Sequence, residues 1–175
     1  EVEAQYDALL RTAQQKIGSR IITLAITNTV DDLHVLFHSK NFEVRVIHLI
    51  RDGRGVAYSY AKKYGKPLWR YIQYLLCNLN IKAALIGLPV PSMKVRYEDL
   101  TDNTEQALQR ITEFIGVPYD AKMLNWSTTP NYLVGGNRMK KIKGQTIVVD
   151  NKWKSKTGLT LKLLHIISYP IRVLW

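Results

Sequence analysis

The chain of 175 residues has a single cysteine, Cys77, so it can form no internal disulfide and no thiolate metal cluster. Cys77 sits among Tyr74, Leu75, Leu76 and Leu79, where it reads as a small buried hydrophobe, not a nucleophile. Glycine is scarce early. Before Gly53 there is only Gly18, so no glycine-rich phosphate cradle follows an N-terminal strand. No apolar run is long enough to span a bilayer. The stretch Leu159–Trp175 is apolar but short, and Lys162, His165, Pro170 and Arg172 interrupt it. It reads as a packed amphipathic helix, with attachment to a membrane surface as the minor alternative. Glu1–Lys16 is too polar for a secretory signal. Repeats, low-complexity segments and linkers are missing too, which leaves one domain over 1–175. Acidic residues are few: 25 Lys and Arg stand against 14 Asp and Glu, a surplus of 11. That surplus suits polyanions (nucleotides, nucleic acid, sulfated glycans, acidic membranes) without choosing among them.

The segment Val44–Tyr60 carries the most information. Val46, Ile47, Leu49 and Ile50 form a short apolar run suited to a strand buried on both faces. It ends at Arg51-Asp52-Gly53-Arg54-Gly55. Val56, Ala57, Tyr60 and Ala61 then recur at helical spacing. Two guanidiniums therefore stand where a parallel strand ends and a helix begins, the place where open α/β sheets bind ligands. Free N–H groups at such a helix start favour an anion, and Arg51 can grip a phosphate with two parallel hydrogen bonds.

The rest of the chain supports an α/β organisation. Val2–Ile17 reads as a helix with a stripe of Tyr6, Leu9, Leu10, Ala13 and Ile17, closed by Gly18. Ile21–Ile26 reads as a buried strand, followed by a helix to roughly His38 and by the strand Val44–Ile50, a βαβ unit with parallel strands. Gly53–Tyr64 is the next helix, and Pro67–Ile86 a longer one with its proline in the first turn. Met93–Arg96 reads as a short strand and Asn103–Ile115 as a helix with Leu108, Ile111, Phe114 and Ile115 on one face, ended by Gly116-Val117-Pro118. From there to Lys143 the pattern is loop and short helix.

These residues resemble a known family. Ile50-Arg51-Asp52-Gly53-Arg54, with Ser59 eight positions after Arg51, resembles the 3′-phosphate segment of sulfotransferases, which use 3′-phosphoadenosine 5′-phosphosulfate (PAPS). That segment usually reads L-R-D-P-R, and Gly53 replaces its proline. Lys94-Val95-Arg96-Tyr97-Glu98-Asp99-Leu100 resembles the family's R-Y-E-D-L strand end. Gly135-Gly136-Asn137-Arg138-Met139-Lys140 resembles its G-N-x-M-R loop, and Asp150-Asn151-Lys152-Trp153-Lys154 the D-x-x-W-R/K that follows. Four motifs in the family's order are far more specific than any one of them.

The resemblance implies a partial P-loop-like fold, a three-layer arrangement of a parallel sheet flanked by helices. It implies that Arg51 and Ser59 hold the 3′-phosphate and that Tyr97 lies near the adenine. It also implies that Gly136, Asn137, Arg138 and Lys140 close over the nucleotide, with no metal. The family's glycine-rich 5′-phosphosulfate loop is missing, which makes the chain look like the C-terminal portion of such a domain, truncated at its N-terminus. Two further departures weigh on catalysis more than on nucleotide binding. Thr27-Asn28-Thr29-Val30 stands where relatives have D-S-S-K, and Tyr132 where they often have His.

No general base is legible, so the catalytic residues stay unknown. His48 lies within a buried strand and reads as a satisfied core residue, and His165 as structural. His34 and His38 share a helix face but lack the Glu of an H-E-x-x-H metal motif. Glu98 and Asp99 read as caps or as partners of Arg96. Among the tryptophans, Trp153 reads as an anchor for the G-N loop, and Trp69 with Tyr71 and Tyr74 as core. The run Lys140-Lys141-Ile142-Lys143 lacks interleaved aromatics, so no nucleic acid is expected. The expected function is transfer of a sulfuryl group from PAPS to a hydroxyl or amine of a carbohydrate or small molecule, with PAPS/PAP and that acceptor as partners. The alternative is a non-catalytic basic module that binds nucleotides or polyanions. The compartment is open: cytoplasmic for the chain as it stands, the Golgi membrane if a preceding segment carries an anchor.

Overall fold

Helix α1 (Val2–Ile17) ends where Gly18 turns the chain. Its stripe buries Leu10 but leaves Leu9 and Ile17 exposed. Asn41 ties the helix down, accepting from the Arg11 guanidinium and donating to Asp7. The computed structural model describes residues 2–25, 35–37, 41–128 and 151–173. The strand expected at Ile21–Ile26 is not formed over 21–25, which have no regular structure and leave Ile21 and Leu24 exposed. A β-branched run becomes a strand only when a neighbour completes its ladder, and among the described residues this run has none. The expected βαβ unit therefore does not build the sheet. Of the helix expected to follow, 35–37 are helical, and Leu36 is buried.

The sheet forms later. Strand β1 (Val46–Ile50) pairs in parallel with β2 (Ser92–Arg96), from Val46 opposite Ser92 to Ile50 opposite Arg96. Parallel strands need a crossover, and here two helices supply it. Helix α2 (Gly53–Tyr64) and helix α3 (Pro67–Gly87) follow the expected bounds to within a residue, with Pro67 in the first turn of α3. After β2 the chain turns at once into α4 (Tyr97–Asp102), which periodicity did not reveal because it is barely more than a turn long. Helix α5 (Thr104–Ile115) ends as expected at Gly116, whose left-handed conformation (φ 76°) lets Val117 N–H reach back to Thr112 O. The Arg45 guanidinium donates to Phe114 O, tying the residue before β1 to the end of α5. A 3₁₀ segment spans Ala121–Thr128. Helices α6 (Lys152–Lys156), α7 (Leu159–Ile167) and α8 (Tyr169–Arg172) follow.

The core lies on one face of β1. Ala57 of α2, Tyr71 and Leu75 of α3 and Leu161 of α7 are buried together, with Ile50, Tyr74, Leu79 and Leu164 around them. His48 points into this layer and shares a 2.9 Å hydrogen bond with the Asn78 amide oxygen. Burial holds its imidazole below the ordinary range despite that bond, so it is neutral, as a satisfied core histidine should be. The other face of β1 departs from the expectation of burial on both sides. Ile47 is 39 % and Leu49 54 % exposed. A two-stranded sheet offers little width for a second layer, and among the described residues helices cover mainly the His48 side.

Candidate anion-binding site

Because β1 and β2 are parallel neighbours in register, their C-terminal ends bring two distant motifs side by side. Ile50 and Arg96 are ladder partners, so Arg51-Asp52 and Tyr97-Glu98 leave the sheet together. The Arg51 guanidinium lies over the Tyr97 ring, 4.4 Å from its centroid. The Asp52 N–H donates to Glu98 Oε1 at 2.9 Å. Glu98 was expected to cap its own segment or pair with Arg96. Instead it takes up the orphan amide of the neighbouring strand end, because the parallel register puts that amide within reach. The Tyr74 hydroxyl donates to Arg51 O from below, and burial pushes that phenol up to about 12, so it stays a donor.

Asp52 changes the expected electrostatics. It is the N-cap of α2, its carboxylate accepting from Arg54 N at 2.9 Å, from Arg54 Nε at 3.0 Å and from Arg54 Nη2 at 2.6 Å. Burial would raise this carboxyl. The hydrogen bonds from Arg54, with His165 nearby, outweigh burial and hold it below the ordinary carboxylate range. The ion pair with Asp52 in turn raises Arg54. The helix start thus already has its own anion, so an external anion at this place must be gripped by side chains more than by free backbone N–H groups.

Two glycines in the turn make room for aromatics. A Cβ on Gly53 would stand 2.7 Å from Tyr71 Cε2 and 2.9 Å from Tyr74 Cδ1, and one on Gly55 3.0 Å from Trp153 Nε1. A proline at position 53 would meet both tyrosines, so Gly53 fits the bulk of α3 in this chain. Trp153, buried in α6, packs against Gly55 of α2 and carries the Arg54 guanidinium 5.0 Å from its ring centroid. It anchors the start of α6 onto the turn.

Between these groups lies a cavity of about 260 Å³, lined by Arg51, Asp52, Arg54, Arg96, Tyr97, Glu98, Asn151, Trp153 and Lys154. Four cations face two carboxylates, and one of those carboxylates is spent on Arg54. The balance favours an anion, and the volume suits a phosphate-bearing part of a ligand more than a whole dinucleotide-sized molecule. A wider, more open depression beside Asn103, Thr104, Glu105, Gln106 and Gln109 offers no cation.

Of the residues expected at the site, Arg51 and Tyr97 are brought together. Ser59 lies on α2 one turn beyond Gly55, solvent-exposed and outside the cavity lining. Gly136, Asn137, Arg138 and Lys140 lie outside the described residues, as do Thr27–Val30, His34, His38, Tyr132, Lys141 and Lys143. Trp69, read as core, is half exposed on α3. Arg96, Asn151 and Lys154 were not singled out as site residues. The signal was present in the Arg-Tyr-Glu and Asn-Lys-Trp-Lys motifs, but only the sheet register shows that they meet. His165 Nδ1 shares a 2.9 Å hydrogen bond with Tyr71 Oη, and its Nε2 stands 3.9 Å from Asp52 Oδ2. Burial lowers it to about 4 in spite of Asp52, so it is neutral at physiological pH and supports the site from behind.

No family model matches the chain. Carbohydrate sulfotransferase 1 of Mus musculus is 27 % identical, the match covering 71 % of this chain and 36 % of the relative. The Homo sapiens protein of that name is 25 % identical over the same shares. The sulfotransferase domain from the curacin biosynthetic pathway superposes with a TM-score of 0.65 at 20 % identity, covering 96 % of this chain and 68 % of that one. The chain is thus similar to sulfotransferases in sequence over most of its length and in fold over nearly all of it. It spans about a third of the length of these curated relatives. Its fold is a partial α/β sulfotransferase fold.

Proposed function

We propose that this chain carries the nucleotide 3′-phosphate site of an enzyme that transfers a sulfuryl group from PAPS to a hydroxyl or amine of a carbohydrate or small-molecule acceptor. The observation that carries the reading is Arg51, stacked on Tyr97 at the ends of two parallel strands and facing a cation-rich cavity. PAPS supplies the sulfuryl group. Arg51 binds the 3′-phosphate, with Arg96 and Lys154 adding positive charge around the same cavity. Tyr97 fixes the guanidinium plane and presents an aromatic edge to the base. The resemblance assigns further nucleotide contacts to Ser59, which is exposed on α2 outside the cavity lining, and to Gly136, Asn137, Arg138 and Lys140, which lie outside the described residues. Sulfuryl transfer, like phosphoryl transfer, depends on positioning and on stabilising charge at non-bridging oxygens, so such a cluster of fixed cations is the chemistry it needs. Neither described histidine lines the cavity, and each is held by a buried partner, so the acceptor's proton goes to another group.

Calorimetric titration with PAP, ATP and heparin tests this reading. PAP should be preferred, and Arg51→Ala should weaken it by about 2–4 kcal/mol, roughly 30- to 1000-fold. An Arg51→Ala protein that binds PAP like wild type removes the assignment. A wild type that prefers heparin, or takes ATP and PAP equally, favours the non-catalytic basic module.

A further inference from the structure

Helix α7 is apolar on two opposite faces. Leu161 and Leu164 turn inward onto Tyr71 and Ala57. Leu159, Leu163, Ile166 and Ile167, at i, i+4, i+7 and i+8, form a second stripe that faces solvent. Leu159 is 72 %, Ile166 66 % and Ile167 73 % exposed. Exposed Tyr169, Ile171 and Val173 on and after α8 extend the patch. A contiguous aliphatic surface of this kind marks a docking site.

The charge beside it identifies the partner. Residues 151–173 contain Lys152, Lys154, Lys156, Lys162 and Arg172 and no Asp or Glu. Lys154 faces the anion cavity and Arg172 donates to His165 O. Lys152, Lys156 and Lys162 are exposed, and Lys162 stands one turn before Ile166 on the border of the stripe. A second copy would oppose the same cations with like charge. The stripe itself has no polar group to pair with a protein surface, whereas an acyl layer asks for none.

We propose that α7 and α8 dock this chain on an anionic lipid surface, the aliphatic stripe entering the headgroup boundary and the lysines meeting the headgroups. No helix of the described residues is long and apolar enough to cross a membrane, so the contact is peripheral. It is independent of the nucleotide site. The test is flotation of the whole chain with vesicles of phosphatidylcholine alone or with about a third phosphatidylserine. Wild type should float with the anionic vesicles only and be released by salt. Leu163→Glu/Ile167→Glu alters exposed positions outside the core and should bind those vesicles about tenfold more weakly or worse, with an unchanged far-ultraviolet dichroism spectrum. Lys156→Ala/Lys162→Ala should weaken binding to a smaller degree. The proposal is overturned if wild type binds neither vesicle, or if the aliphatic double variant floats as well as wild type, which would leave general basicity as the cause. It is also overturned if sedimentation shows a dimer that the same variant abolishes, or if polyglutamate binds through the same stripe and competes with the vesicles.

Discussion

The two faces of β1 meet opposite surroundings. Toward α2, α3 and α7, His48 is paired with Asn78, Ile50 lies against the core, and Tyr71 beyond it is fully buried with its hydroxyl bonded to Ser168 at 2.8 Å and to His165 at 2.9 Å. On the other face Leu49 remains half exposed although Val95, its ladder partner, is buried. The same strand, with similar residues on both sides, is thus stabilised mainly from one side. The site at its C-terminal end inherits this asymmetry. From the filled side come Tyr74 under Arg51, Tyr71 and Tyr74 against Gly53, and Trp153 against Gly55, while Glu98 and Tyr97 hold Asp52 and Arg51 from the end of β2. The candidate site is therefore held by the α2–α3–α6–α7 layer together with the end of β2 and, among the described residues, by nothing on the open face.

The strongest way to break this contrast is Tyr71→Ala. Removing a fully buried ring and two hydrogen bonds should cost about 3–5 kcal/mol, read by urea unfolding, and should loosen the Arg51 turn with it. A loss below about 1 kcal/mol would show that the filled face does not carry the fold.

A smaller effect comes from pH. His165 is half-buried near Tyr71, Asp52, Arg54 and Arg172, and desolvation lowers its titration from 6.5 to about 4. Between those values the unfolded chain binds the proton and the folded chain does not, so stability should fall as pH drops from 6.5 toward 4 and level off below, as far as His165 is concerned. The buried His48, also lowered, acts in the same direction. Thermal unfolding from pH 7 to pH 4 should show the decline, and His165→Gln should make it shallower. A His165→Gln protein with an unchanged slope would exclude His165 as a source.

The smallest effect is expected on the open face. Leu49→Ser, at a position 54 % exposed, should change stability by less than about 1 kcal/mol in the same urea measurement. A loss comparable to that of Tyr71→Ala would abolish the asymmetry.

Much of the fold was legible because local rules act within a few residues. The helix-forming stripes set α1, α2, α3 and α5 nearly to the residue, and Gly116 stopped α5 where a left-handed residue was needed. Motif order made it legible that Arg51 and Tyr97 belong to one region, where the structure stacks them, and His48 was legible as a core histidine through its place in an apolar run. Ile21–Ile26 failed as a strand because β propensity is a statement about neighbours, and over 21–25 none is present among the described residues. Burial of both faces of β1 failed for the same reason. The role of Asp52 was hidden because an N-cap and an ion pair with Arg54 look alike in a sequence that reads Arg-Asp-Gly-Arg.

Composition and periodicity by themselves determined the single cysteine, the basic surplus, most helix bounds and the placing of two guanidiniums after an apolar strand, since each depends on residue type and short-range spacing. Tertiary structure alone decided that Glu98 serves Asp52, that Trp153 requires Gly55, that His165 is held neutral behind the site, and that α7 shows an aliphatic stripe to solvent. Each of these joins residues tens of positions apart, or depends on which neighbours cover a surface, and only the parallel register and the packing of helices on one side of the sheet set those distances.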